Sequence, residues 1–216
     1  MSAATATTTA AADPRHASYD CKTPSEHIAL YDKWAATYND DVMGPSTLYV
    51  GPKLVAEAVL ANNGKIDGAV LDAGCGTGLS GVALAQAGAK VIDGIDLSPG
   101  MLKIAKDTGV YRDLWPVDMT KPIEQPDEFY DVVTCVGTFT TGHVGPSPAL
   151  PELVRVLKRG GLVVATVLDT LWKPEGFEAE VERLRQIGAV DVLSTKVDDY
   201  RKGDNARAVM LVLRRK

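Results

Sequence analysis

The chain has 216 residues, of which 45% are hydrophobic and 24% charged, and a formal net charge of -5. That is enough apolar material for one ordinary core, and the acidic balance disfavours a phosphate backbone as partner. The three cysteines, Cys21, Cys75 and Cys135, show no CxxC spacing, so neither a disulfide framework nor a zinc site is expected and a reducing, cytoplasmic setting fits; no apolar run reaches the roughly 20 residues of a bilayer crossing.

Residues 1–22 begin as an Ala/Thr-rich stretch without a periodic apolar face or the apolar core of a secretory signal. They are expected to form a disordered tail, with one domain over 23–216 that opens on a helical cap. Thr23-Pro24-Ser25-Glu26 reads as a capping box with proline at the first helical position. The helix behind it carries Tyr31, Trp34, Ala35 and Tyr38 on one face, and Asn39-Asp40-Asp41 with Gly44-Pro45 are expected to break it. Pro52 opens a second helix with Leu54, Val55, Ala58 and Val59 inward, closed by Gly64.

From there strands and helices alternate. Strands are expected at 69–71, 90–95, 114–117, 130–136 and 162–168, the last ending at Asp169. Between them lie a helix at 79–87 and one capped by Ser98-Pro99 with Met101, Leu102 and Ala105 inward. Another starts at Ser147-Pro148 and is expected to end at Gly160-Gly161, and Phe177, Val181 and Leu184 mark a late helix. Two final strands, 190–196 and 208–213, have only a polar turn segment between them. The pattern predicts an α/β fold, a mostly parallel sheet with helices on both faces and an antiparallel strand at the end.

The segment Asp72-Ala73-Gly74-Cys75-Gly76-Thr77-Gly78 follows a strand and precedes a helix. Missing side chains let a ligand approach the backbone there, and the free N–H groups favour an electron-rich group. Gly76, Gly78 and Gly81 also satisfy GxGxxG, so an NAD(P)-dependent oxidoreductase is a rival reading. The carboxylate of Asp72 would sit badly beside a pyrophosphate and well beside a cationic ammonium. Asp96, at the end of the second strand, can accept both hydroxyls of a ribose. Asp118, at the end of the third, can accept from an adenine amino group or simply be a solvated loop acid.

The glycine loop, Gly94-Ile95-Asp96-Leu97-Ser98-Pro99-Gly100-Met101-Leu102, Asp118, Tyr130-Asp131-Val132-Val133 and Leu157-Lys158-Arg159-Gly160-Gly161-Leu162 together resemble class I S-adenosylmethionine-dependent methyltransferases. Tyr31-Asp32-x-Trp34-Ala35-x-x-Tyr38, Val136-Gly137 and Pro151-Glu152-Leu153 are similar to the methyltransferase-like group of the Williams–Beuren region, which says little about substrate. The resemblance implies a Rossmann-like sheet of seven strands with the last antiparallel, and S-adenosyl-L-methionine as cofactor. It places Gly74 and Gly76 against the methionine part, Asp96 on the ribose, Leu97 and Met119 around the adenine, and Asp118 on its amino group. Val136 would lie near the methionine end and Tyr38 would help cover the cofactor; Gly78 and Met101 belong to the same cofactor motifs, as does Asp72.

The fourth strand continues into Gly137-Thr138-Phe139-Thr140-Thr141 and lacks the Asn/Asp-Pro-Pro-aromatic motif of enzymes that methylate base amino groups. A small-molecule acceptor is therefore expected, with neither nucleic acid nor membrane as partner. His143 is the candidate base, with the plain alternative of a solvated loop histidine, and Tyr38 is a second catalytic candidate. His27 and His16 are not expected to act. Tyr31, Trp34 and Tyr38 could line an acceptor pocket or pack the helix on the domain, and Trp172 is expected to pack. Cys75 reads as a small residue in a tight loop, and no metal site is assigned. A non-catalytic protein that keeps the cofactor pocket is a further rival.

Overall fold

The computed structural model describes residues 13–216. Among them, β1 (Ala69–Ala73), β2 (Val91–Asp96), β3 (Asp113–Pro116), β4 (Tyr130–Phe139), β5 (Leu157–Leu168), β6 (Val190–Arg201) and β7 (Ala206–Arg215) form one sheet in the order β3-β2-β1-β4-β5-β7-β6. β1 to β5 pair in parallel, while β7 lies antiparallel to both β5 and β6. The turn at 202–205 joins β6 to β7 directly, and a connection that short permits only a hairpin.

Both faces of the sheet are apolar. Leu71 and Ala73 of β1 join a core with α7 (Ala149–Arg155) and α8 (Phe177–Gln186). Val70, just before Leu71, points the other way, to a core with α4 (Gly51–Ala61) and α5 (Leu79–Gln86). The strand order reverses between β1 and β4, and a crevice opens at the carboxyl ends of strands at such a point.

Three expectations need correction. The tail expected over 1–22 lies outside the described residues as far as residue 12, but α1 (Pro14–Asp20) is a helix. Asp13 caps it by accepting from the Arg15 N–H, Pro14 opens it, and Ser18 is buried. Asn39-Asp40-Asp41 do not end a helix. The chain turns earlier, after α2 (Pro24–Trp34), and these residues open α3 (Tyr38–Met43), where Asp40 and Asp41 sit favourably in the first turn. Trp34 Nε1 donates to Asp41 across the turn at 2.7 Å. Gly160-Gly161 lie within β5 and not at the end of α7. The carbonyls of Arg155 and Val156 are taken by the N–H groups of residues 128–130 entering β4, so the helix stops there.

One buried charge crosses the sheet. Asp93 in β2 is 1% exposed, and it accepts from Arg112 Nε at 2.8 Å and from the Tyr130 hydroxyl at 2.9 Å. Asp93→Ala leaves that hydroxyl only the longer bond to Gln125 Oε1 at 3.3 Å, and is expected to lower unfolding free energy by about 2 kcal/mol, whereas Tyr130→Phe should cost about 1 kcal/mol. Urea denaturation of the three proteins measures both.

Candidate active site

A cavity of about 270 Å³ lies at the carboxyl ends of β1, β2 and β4. Gly74 and Gly76 reach it from the loop after β1, Asp96, Leu97 and Met101 from the β2 end and α6 (Pro99–Asp107), and Asp118 and Met119 from beyond β3. Val136 in β4, Tyr38 in α3 and His143 in the following loop complete the predicted residues that line it. The fold thus gathers these positions from segments far apart in the chain.

Asp96 closes the glycine loop onto β2. Its Oδ2 accepts from the Gly76 N–H at 2.8 Å and its Oδ1 from the Ser98 N–H at 2.9 Å. Burial pushes its carboxyl up, against the lowering effect of those backbone donors. Each oxygen keeps a further lone pair for a ligand hydroxyl. Gly76 has φ +53 and a Cβ built on it meets nothing within 4 Å, so its bare backbone opens onto free space. At Gly74, by contrast, a Cβ would stand 1.9 Å from Thr138 Oγ1. A carboxylate beside bare backbone, with Leu97 and Met119 nearby, fits a ribose flanked by an adenine and a methionine chain. Asp118 accepts from both the N–H and the hydroxyl of Thr120, and its carboxyl stays low because that hydroxyl and Lys121 at 3.0 Å outweigh burial.

Asp72 and Gly78 do not line the cavity. The Asp72 carboxylate is fully buried, accepting from the Tyr111 hydroxyl at 2.8 Å and from Thr134 Oγ1 at 3.0 Å. Tyr111 also explains the glycine spacing. A Cβ on Gly81 would lie 2.2 Å from its hydroxyl oxygen, one on Gly94 2.9 Å from its ring, and one on Gly78 3.1 Å from it. Gly78 and Gly81 of the GxGxxG pattern therefore make room for a tyrosine ring, which argues against the dinucleotide reading.

The cap is tied down at three points. Asp32 of α2 accepts from Ser98 Oγ at 2.6 Å and from the Gly100 N–H at 2.7 Å, at the start of α6. Thr77 in the glycine loop donates to Asn39 of α3 at 2.5 Å. Tyr31 donates its hydroxyl proton to His143 Nε2 at 2.7 Å, because His143 Nδ1 lies 2.7 Å from the Thr141 carbonyl and must carry the ring proton. Burial brings His143 down to about 4, so the ring is neutral near neutral pH.

The chain pattern set His27 aside, yet it lines the cavity, 4.5 Å from His143 between ring centroids. Its Nδ1 donates to the Thr23 carbonyl, and its buried Nε2 has no partner among the described residues. The only signal for it was its place one residue past the capping box. Tyr31 lines the cavity as well, while Trp34 is buried against Tyr38, 4.7 Å between centroids. Trp172 packs on the main core, and Cys75 is a buried thiol that burial pushes up.

A model of the methyltransferase domain family matches residues 71–165. Human Methyltransferase-like protein 27 is 36% identical over 170 residues, covering 76% of this chain and 68% of the relative. The ubiquinone biosynthesis O-methyltransferase of Nitrosomonas europaea is 34% identical over 105 residues, and the match spans 43% of that enzyme's length. Among solved structures, magnesium protoporphyrin IX methyltransferase of Synechocystis with bound S-adenosylhomocysteine shares the fold, with TM-score 0.56 and 20% identity over 77% of this chain and 84% of that one.

The Asp72 carboxyl titrates at about 6 instead of its ordinary 3.8, because burial outweighs the two hydroxyl donors. The native state therefore loses stability relative to the unfolded chain as pH rises through that window. Asp72→Asn, which has no such charge, should gain on wild type by about 2–3 kcal/mol between about pH 4 and pH 7. Parallel denaturation curves at the two pH values test this, and a constant difference would refute it.

Proposed function

The chain belongs to the class I S-adenosylmethionine-dependent methyltransferases, and from that membership we propose that it methylates a small-molecule acceptor. When bound, S-adenosylmethionine supplies an electrophilic methyl group on a sulfonium. The observation that carries the site assignment is the Asp96 carboxylate fixed beside the open backbone of Gly76. Asp96 would hold the ribose hydroxyls, Leu97 and Met119 the adenine faces, and Asp118 the adenine amino group. Gly74 and Val136 would flank the methionine end, with Tyr38 and Met101 closing the cavity around it.

Several features support a small acceptor. The cavity is roofed by α2 and α3, the net charge is -5, and the relatives include an enzyme named for ubiquinone biosynthesis. A cavity covered by these helices would align nucleophile and methyl group and limit the access of water to the sulfonium. The neutral His143 would receive the acceptor's proton by way of the Tyr31 hydroxyl, which already donates to Nε2. The free, buried thiols Cys75 and Cys135 support a reducing, cytoplasmic setting.

Calorimetric titration of wild type should show binding of S-adenosylmethionine and S-adenosylhomocysteine, and none of NAD. Asp96→Ala should lose about 100-fold or more in affinity for both ligands with an unchanged circular dichroism spectrum. Undiminished affinity in a folded variant would sink the assignment.

A further inference from the structure

A second, smaller cavity of about 40 Å³ adjoins the first and shares Tyr31, Tyr38 and Gly137 with it. It shares none of the glycine-loop or strand-end residues Gly74, Gly76 and Asp96. Its walls are polar in an unusual way: Arg15 and Arg201 line it together with the tyrosines Tyr19, Tyr49 and Tyr200, and among the described residues no carboxylate does.

The donors are not equally free. Arg15 is taken by Asp13 and Thr47. Arg201, whose side chain is 18% exposed, gives Nη1 to the Tyr19 hydroxyl at 3.3 Å. Its buried Nε lies 3.2 Å from Asp204 without the alignment of a hydrogen bond, and has no other partner among the described residues. The hydroxyls of Tyr200, 6% exposed, and Tyr49 lie 3.3 Å apart, so one donates to the other and the pair keeps a second hydroxyl proton for a ligand. Both hydroxyls face Gly137, where a Cβ would stand 2.9 Å from Tyr49 and 3.0 Å from Tyr200. Gly137 thus leaves room for the two hydroxyls at the wall that both cavities share, immediately after Val136, which lines the larger one. The smaller cavity has room for roughly three heavy atoms. That is a carboxylate, and a guanidinium with a phenol is the donor set that recognises one.

We propose that this cavity is the anion subsite of the acceptor: it takes a carboxylate of the molecule to be methylated, held by Arg201 and Tyr49, while the nucleophile stays in the larger cavity. The proposal rests on the methyl-transfer reading, so binding of S-adenosylhomocysteine by wild type is measured first, and its failure would strike that reading alone. Benzoate, 4-hydroxybenzoate and cinnamate are then titrated into the protein saturated with S-adenosylhomocysteine, each beside its uncharged amide. At least one acid should bind about tenfold or more tightly than its amide. Arg201→Gln should erase that preference, leaving affinity for S-adenosylhomocysteine and for the amide unchanged. Tyr49→Phe, which removes one donor and keeps the ring, should reduce the preference severalfold and serves if Arg201→Gln does not fold. No acid preferred over its amide in wild type, or a preference that survives in both variants, would overturn the proposal. So would a loss of S-adenosylhomocysteine affinity in Arg201→Gln with 5′-methylthioadenosine unaffected, since the anion bound there would be the cofactor's own.

Discussion

The carboxylate of Asp72 is sealed from water at the end of β1, and two hydroxyls from other parts of the chain converge on it. Thr134 comes from β4, the neighbour on one side, and Tyr111 from the segment that leads into β3, beyond the neighbour on the other. A buried carboxylate without partners would be costly, so these elements are held in one arrangement. That arrangement decides where the glycine loop leaves the sheet. The Tyr111 ring fills the space over Gly78, Gly81 and Gly94, and the loop above it turns its bare backbone at Gly76 toward the cavity. The carboxyl bears the strain of this role as a proton affinity far above that of an ordinary aspartate.

The cap is as much a part of the site as the sheet. Asp32 reaches the first turn of α6 and Asn39 the glycine loop, so both cap helices are anchored on segments that line the cavity. The Tyr31–His143 hydrogen bond closes the roof onto the loop after β4. Aromatic rings supply the bulk between these anchors: Tyr31 stacks on Trp34, which meets Tyr38 edge to face. They separate a large cavity over the strand ends from a small polar one beside β6. Tyr31 and Tyr38 stand in both walls, so they pack the cap and line the cavities at once. Trp34 lies only along the smaller one.

The residue pattern by itself carried the sheet, the glycine loop and the strand-end acids Asp96 and Asp118, because each depends on local chemistry: β-branched runs, bare backbone, a carboxylate at a strand end. The capping box at Thr23 and the Ser98 cap were legible for the same reason. What it did not carry is whatever needs a partner far along the chain. Asp72 was expected to face a ligand and is instead consumed by Tyr111, 39 residues away. His27 and Arg201 carry no motif, and only their burial shows which of their nitrogens lack a hydrogen bond among the described residues. Asn39-Asp40-Asp41 read as a helix stop by composition, yet Trp34 and the first turn of α3 give those acids a helical place. Local propensity sets which elements form; tertiary burial decides which polar groups remain free to bind, since a group's hydrogen bonds are known only when all its neighbours are in place.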